Sequence, residues 1–492
     1  MKRFWLILLS LGLIVAFSTS AMAVDVKFSG EYYAAGMYLD RTTLHDGYQL
    51  PLPVGEGYTD LGRGPSTAFY FQRLRLSTQF IVSPGLMLTT RADIMERAWG
   101  ANRSNAYIAT SSTNPAPATD TGDYSAGTRA ENENIAFDLA YLTYVSPIGM
   151  FLAGYQIDSA WGTVFGDDSI PCGKIGYIAR IGAATLGIQT GKNTGGELSR
   201  TAINSATAAD RDSTFYTAFG RFGWKGGEAG LLVKYIRNAS GRNLLGAVIQ
   251  DTGVKADIVV ALPYAKLQLG PVALQAEFNY LYGKQKWEGS PELIPAAYGG
   301  PYKDVDMRQM RAWIDALADF GMIYAGGTAA YVSGNDPETD KAEGGTLTGG
   351  SDWNPCLILF NNDLTYWAGS QAGVASTPAS TTTWNYTANS GPMTNAWFLQ
   401  VRGGIRPVEK LDIMASVSYA KADKTPAAVW DSREYGWEVD LTGTYKITNN
   451  LSYMLGAGYL FTGDYFRGAA PADADVDVKD NLMVINKLTL TF

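Results

Sequence analysis

The chain has 492 residues, with 39 Lys and Arg against 47 Asp and Glu, one His and two Cys, and a net charge of −8. That acidic balance argues against a nucleic-acid binder, and one His leaves little for general-base catalysis. The length would allow several soluble domains, but no linker divides the chain.

The first 23 residues, MKRFWLILLSLGLIVAFSTSAMA, place Lys2 and Arg3 before an apolar run from Phe4 to Phe17 and end on Ala21-Met22-Ala23. This is the pattern of a secretory leader cut after Ala23. Its loss takes the net charge to −10 and leaves 24–492 as the mature domain. Beyond Ala23 no apolar stretch approaches the roughly twenty residues of a spanning helix, so a membrane crossing must use strands.

Alternating runs of 8–16 residues follow at 26–39, 67–82, 86–98, 133–145, 150–159, 174–181, 184–191, 212–224 and 228–238. They continue at 253–268, 271–283, 305–318, 321–333, 396–406, 410–421, 433–447, 451–463 and 480–492. The pattern predicts about eighteen strands of the length that tilted membrane strands need, with sixteen as the alternative. The connections alternate in length. Tight turns at 83–85, 146–149, 225–227, 269–271, 319–320, 407–409 and 448–450 carry Gly, Pro, Asn or Asp. Long polar loops occupy 40–66, 99–132, 160–173, 192–211, 239–252, 284–304, 334–395, 422–432 and 464–479. Putting every long loop at one end suits an antiparallel up-and-down membrane barrel, which an even strand number closes with both termini at the turn end.

The two faces differ in the way such a barrel requires. Leu411, Ile413, Ala415, Val417 and Tyr419 alternate with Asp412, Ser416 and Ser418; Tyr435, Trp437, Val439 and Leu441 alternate with Glu434, Glu438, Asp440 and Thr442. A face carrying carboxylates cannot be a dry core, but it can line an aqueous lumen. Aromatics cluster near the loop ends (Tyr280, Tyr282, Trp397, Tyr419, Trp437, Tyr459, Phe461) and the turn ends (Trp224, Tyr445, Tyr453, Phe492), as two interfacial girdles do.

The last run, NLMVINKLTLTF, taken alone would equally suit the edge of a soluble sandwich. With the leader and the asymmetry of loops and turns, it resembles the last strand of Gram-negative outer-membrane porins, specifically the larger ones of about eighteen strands. The resemblance is architectural and spans the mature chain. It implies a water-filled channel for small polar solutes and ions in the bacterial outer membrane, surrounded by lipid and lipopolysaccharide. It also implies that the barrel-assembly machinery reads Phe492 and that 480–492 pairs with 26–39, and it allows a homotrimer. Selective channels for anions or carbohydrates share this architecture.

The porin pattern further implies a basic wall facing an acidic one across a constriction. Lys27, Arg73, Arg75, Arg91, Arg97, Arg402, Arg406 and Lys487 are the candidate pore-lining cations, and Asp257, Glu277, Asp315, Glu438 and Asp440 the anions. Arg73, Arg75 and Arg91 would then bias the pore toward anions. Within 334–395 the run Cys356 to Phe360 is too apolar for water, which points to a loop folded into the lumen or packed on a neighbouring surface. Cys172 and Cys356 both fall in predicted loops, where a disulfide and two free thiols are both open.

An enzymatic barrel would have to use His45, and no nucleophile motif surrounds it. There is no covalent haem motif, although the barrel could sheathe a partner cytochrome. The run DADVDVKD at 473–480 lacks the Gly and closing Glu of a calcium loop, so no metal or cofactor is assigned.

Overall fold

The computed structural model describes residues 24–42, 44–46, 49–51, 58–60, 66–100, 135–194, 212–240, 253–288, 304–369, 390–425, 432–467 and 477–492. The leader, and Asp473 and Asp475 of the acidic run, lie outside them. Nine strands come first: β1 (Asp25–Leu39), β2 (Thr67–Ser83), β3 (Leu86–Ala98), β4 (Ile135–Ser146), β5 (Gly149–Asp158), β6 (Ile170–Ile181), β7 (Ala184–Thr194), β8 (Ser213–Trp224) and β9 (Gly227–Asn238). Nine more follow: β10 (Gly253–Leu269), β11 (Val272–Glu288), β12 (Val305–Asp319), β13 (Ile323–Val332), β14 (Ala396–Val408), β15 (Leu411–Ala422), β16 (Glu434–Lys446), β17 (Leu451–Thr462) and β18 (Asn481–Thr491). Each pairs antiparallel with the next, and β18 closes on β1 from Glu31 opposite Thr491 to Leu39 opposite Met483. No barrel edge stays open to another chain.

The expected eighteen strands are all present. Three run three or more residues past their alternation: β6 starts at Ile170, already paired with Asp158, β7 continues to Thr194 and β11 to Glu288. Backbone ladder bonds extend a strand past the point where its side chains stop alternating. At the tight turns Gly85 (φ +83°) and Gly226 (φ +87°) occupy left-handed backbone that a β-carbon disfavours.

Alternation decides which face each residue takes. Leu399, Val401, Leu441 and Leu455 are exposed on the outer surface, whereas Gln400, Ser416, Ser418, Glu438 and Asp440 are buried within the barrel. A continuous apolar exterior of this kind is stable against lipid rather than water. The aromatics at both strand ends, including Trp397, Trp437, Phe461, Trp224 and Phe492, also lie exposed on it. Tyr435 departs from the expected pattern. Gly436 has φ +121° and the ladder slips between Ala420 and Lys421, so a bulge turns Tyr435 inward against Tyr465, with ring centroids 4.4 Å apart.

The main apolar core is inside the barrel. Residues between β13 and β14 enter the lumen, where Ile358, Leu359, Phe360 and Leu364 pack with inner-face Tyr33, Met37, Phe398 and Ala420. A short helix, α1 (Asn362–Ala368), starts at Asn361, whose side chain accepts from the Leu364 amide, and stops at Gly369 (φ +85°). No helix among the described residues is long and apolar enough to cross a membrane.

Candidate functional site: the loop-narrowed lumen

Two segments fold into the barrel and meet there. Between β5 and β6, the Trp161 indole donates to the Leu262 carbonyl at 2.9 Å and the Thr163 hydroxyl to Glu277 at 2.6 Å. Phe165 stacks on Trp313 of β12, centroids 5.9 Å apart, and meets the edge of Trp353 from the other segment at 5.1 Å. The backbones also join, Gly166 N donating to Gly349 O at 3.0 Å and Asp352 N to Asp167 O at 2.9 Å, and the Asp168 carboxylate accepts from Ser351 N at 2.8 Å. Arg311 of β12 clamps both segments by donating to the carbonyls of Gly166 and Thr348.

The segment from 344 to 369 then crosses toward β1 and β2. Gln400 donates to Pro355 O at 2.7 Å, and Glu438 accepts from the amides of Ile358 and Leu359 at 2.7 and 2.6 Å. Trp367 of α1 stacks on Phe71 of β2 with centroids 4.3 Å apart. The apolar run 356–360 is thereby shielded from water, and its amides are satisfied by the wall.

A cavity of about 670 Å³ remains beside this crossing, lined by Arg73, Arg75, Arg91 and Lys487 and also by Asp93, Glu96, Asp138 and Asp363. The arginines are not free cations. Arg75 bonds both oxygens of Asp93 at 2.7 Å, Arg91 reaches Asp138 at 2.9 Å, and Arg73 reaches Glu96 at 3.4 Å. Lys487 lies 4.4 Å from the centre of the Tyr33 ring, and the Arg73 guanidinium 5.0 Å from it. Burial pushes the Asp363 carboxyl up from its ordinary value, against the pull of Lys487 and Arg73.

Several expected positions take other roles. Arg402 pairs with Asp315 at 2.8 Å, and Arg406 with Asp319 at 3.0 Å and Asp412 at 3.1 Å. Lys27 is exposed, two residues along β1 from Ser29 and on the same face as Tyr33. Arg97 must be corrected: Met95 has φ +52° and shifts the phase of β3, so Glu96 turns inward and Arg97 pairs with Gln72, on the row of exposed Tyr70. Asp257 must be corrected too. It lies on the row of exposed Val259 and accepts from the Tyr235 hydroxyl, because the inward row of β10 is Ile258 and Val260. Glu277, Glu438 and Asp440 face inward but are buried beneath the two segments, so they form no open acidic wall.

The cysteines are free. Cys172 belongs to β6, not a loop, and its Sγ donates to Lys192 O at 3.0 Å; Cys356 Sγ donates to Ser418 Oγ at 3.2 Å. Their partners lie on different walls, which rules out a bridge.

The sequence reading missed the acids Asp93, Glu96 and Asp138, and also a basic set at the turn end. Arg180, Arg221 and Lys266 line a second cavity of about 720 Å³, opposed there by Glu228, 3.8 Å from Arg221. The signal that could have found both is register: Arg75 stands opposite Asp93, and Thr185 stands between Arg180 and Arg221.

No family model and no curated protein matches the chain. Among solved structures, OccK9 (OpdG) of Pseudomonas aeruginosa is 14% identical, covering 95% of this chain and 99% of that one, with a TM-score of 0.46. A BenF-like porin from Pseudomonas fluorescens gives 10% identity, 95% and 99% coverage and a TM-score of 0.45. An anion-selective porin from Comamonas acidovorans gives 11%, 95% and 99%, and 0.40. The barrel and lumen described above rest on this chain's own strand pairing and side-chain geometry.

Proposed function

We propose that the chain is a porin of a bacterial outer membrane, exported with a leader cut after Ala23, through which small polar solutes and ions diffuse passively. One observation carries this reading. A closed eighteen-stranded barrel has an apolar exterior and an inner face of ion pairs around cavities of about 670 and 720 Å³. Barrels of this size leave an aqueous channel unless segments fill them, and here two segments narrow it. Charged pairs at Arg75 and Arg91 are inexpensive beside water and would be costly in a sealed core. In this reading Phe492 is the feature that the assembly machinery recognises, and lipid and lipopolysaccharide surround the apolar belt.

The paired arginines weaken the case for an anion-selective wall at Arg73, Arg75 and Arg91. A preference for anions is better supported at the turn end, where three cations meet one carboxylate. The test is single-channel recording in planar bilayers with refolded residues 24–492. Discrete ohmic steps with a reversal potential displaced toward the anion are expected. Silence from protein shown to be folded by heat-modifiable gel mobility would overturn the open-channel reading.

A further inference from the structure

Where the inward segment meets the wall, Cys356 approaches two acids of β16. The Cys356 sulfur and one carboxylate oxygen each from Glu438 and Asp440 lie within 4.8 Å of one another, and all three residues are buried. Neither acid has a Lys or Arg partner among the described residues, although Glu438 is 0% and Asp440 3% exposed. Two carboxylates held this close without a cation repel each other in a poorly solvated space. Their hydrogen bonds do not complete the site. Asp440 Oδ2 accepts from the Ser416 hydroxyl at 3.2 Å, but Oδ1 is buried with no hydrogen-bond partner. Opposite Asp440 in the ladder stands Gly458, where a β-carbon would lie 2.6 Å from Asp440 Oδ1 and 3.3 Å from Glu438 Oε1. The glycine lets both acids, and the Leu357 side chain of the segment, whose Cβ would lie 2.9 Å from that β-carbon, come up close to the β17 backbone.

We propose that Cys356, Glu438 and Asp440 bind a divalent cation of the zinc class, which fastens the inward segment to the barrel wall. One thiolate with carboxylate oxygens suits a borderline-soft ion better than calcium or magnesium, which prefer all-oxygen shells. On binding, the S–H bond of Cys356 breaks, a sulfur–metal bond forms and the proton leaves to solvent. No oxidation is involved. Both oxygens of Glu438 already accept backbone amides of the segment, so the ion would join a contact that is positioned without it.

The test uses the refolded mature chain, treated with EDTA and then equilibrated with Co²⁺. One cobalt retained through gel filtration, with thiolate-to-cobalt charge-transfer absorption and displacement by Zn²⁺, is the expected result. Cys356→Ser should abolish the absorption, and Glu438→Gln with Asp440→Asn should abolish retention. Folding of each is checked by heat-modifiable mobility. If the double variant does not fold, the Cys356→Ser comparison still decides. Folded wild type that retains no cobalt, or retains it without thiolate absorption, overturns the proposal and leaves a carboxyl pair sharing a proton. The test is independent of whether the barrel conducts.

Discussion

Gly30 and Phe492 show how closely single residues set the barrel's closure. Gly30 exchanges two backbone hydrogen bonds with Phe492, at 2.8 and 3.1 Å. A β-carbon at Gly30 would lie 2.7 Å from the Arg75 carbonyl oxygen and 2.8 Å from the Phe492 ring. Gly30→Val should therefore lower stability by about 1–3 kcal/mol through overpacking, read as a lower urea midpoint of the lipid-embedded barrel. Arg75 and Asp93 make a second residue-scale case. Replacing Arg75 alone with Gln leaves Asp93 uncompensated and should shift reversal potentials toward cations, whereas Arg75→Gln with Asp93→Asn should restore the wild-type value. Identical selectivity in all three proteins would show that the pair does not face the permeation path.

At the scale of elements, the two inward segments act as one constriction because each supplies part of the other's packing. Removing 351–368 with a short Gly-Ser bridge should raise single-channel conductance while heat-modifiable mobility persists, since the ladder does not depend on that segment. Asp167 makes the junction sensitive to pH. It accepts from the Trp161 amide at 2.7 Å, near Glu277, Asp352, Asp168 and Arg311, and burial pushes its carboxyl up to about 7. A carboxyl raised in the packed state favours packing while it stays protonated, and that contribution is lost as pH rises from its unperturbed range through about 7. Conductance should therefore increase between roughly pH 4 and pH 7. Asp167→Asn should flatten the profile; a wild-type profile that is already flat would remove Asp167 from the gate.

For the whole molecule, charge distribution matters more than net charge. The arginines near β2 and β3 are neutralised by acids in the lumen, while Arg180, Arg221 and Lys266 at the turn end face, among the described residues, the single carboxylate of Glu228 within their cavity. Replacing those three with Gln should lower the anion-to-cation permeability ratio roughly two- to threefold, with a smaller effect at high salt. An unchanged ratio would locate selectivity elsewhere.

The sequence by itself determined the barrel, because period-two alternation and the contrast between tight turns and long loops are local properties of the backbone. All eighteen strands were legible in this way, as was the apolar exterior. Inner and outer placement followed wherever the period ran unbroken. It failed at Arg97 and Tyr435, where positive φ at Met95 and Gly436 inserts a half-step that alternation cannot reveal. It failed at Asp257 because the inward row of that strand is apolar and packs on an inserted segment. Only the tertiary structure decided which charges are partnered and which acids are buried. Those outcomes depend on the register between strands and on segments that cross the lumen, both set by contacts between residues far apart in the chain.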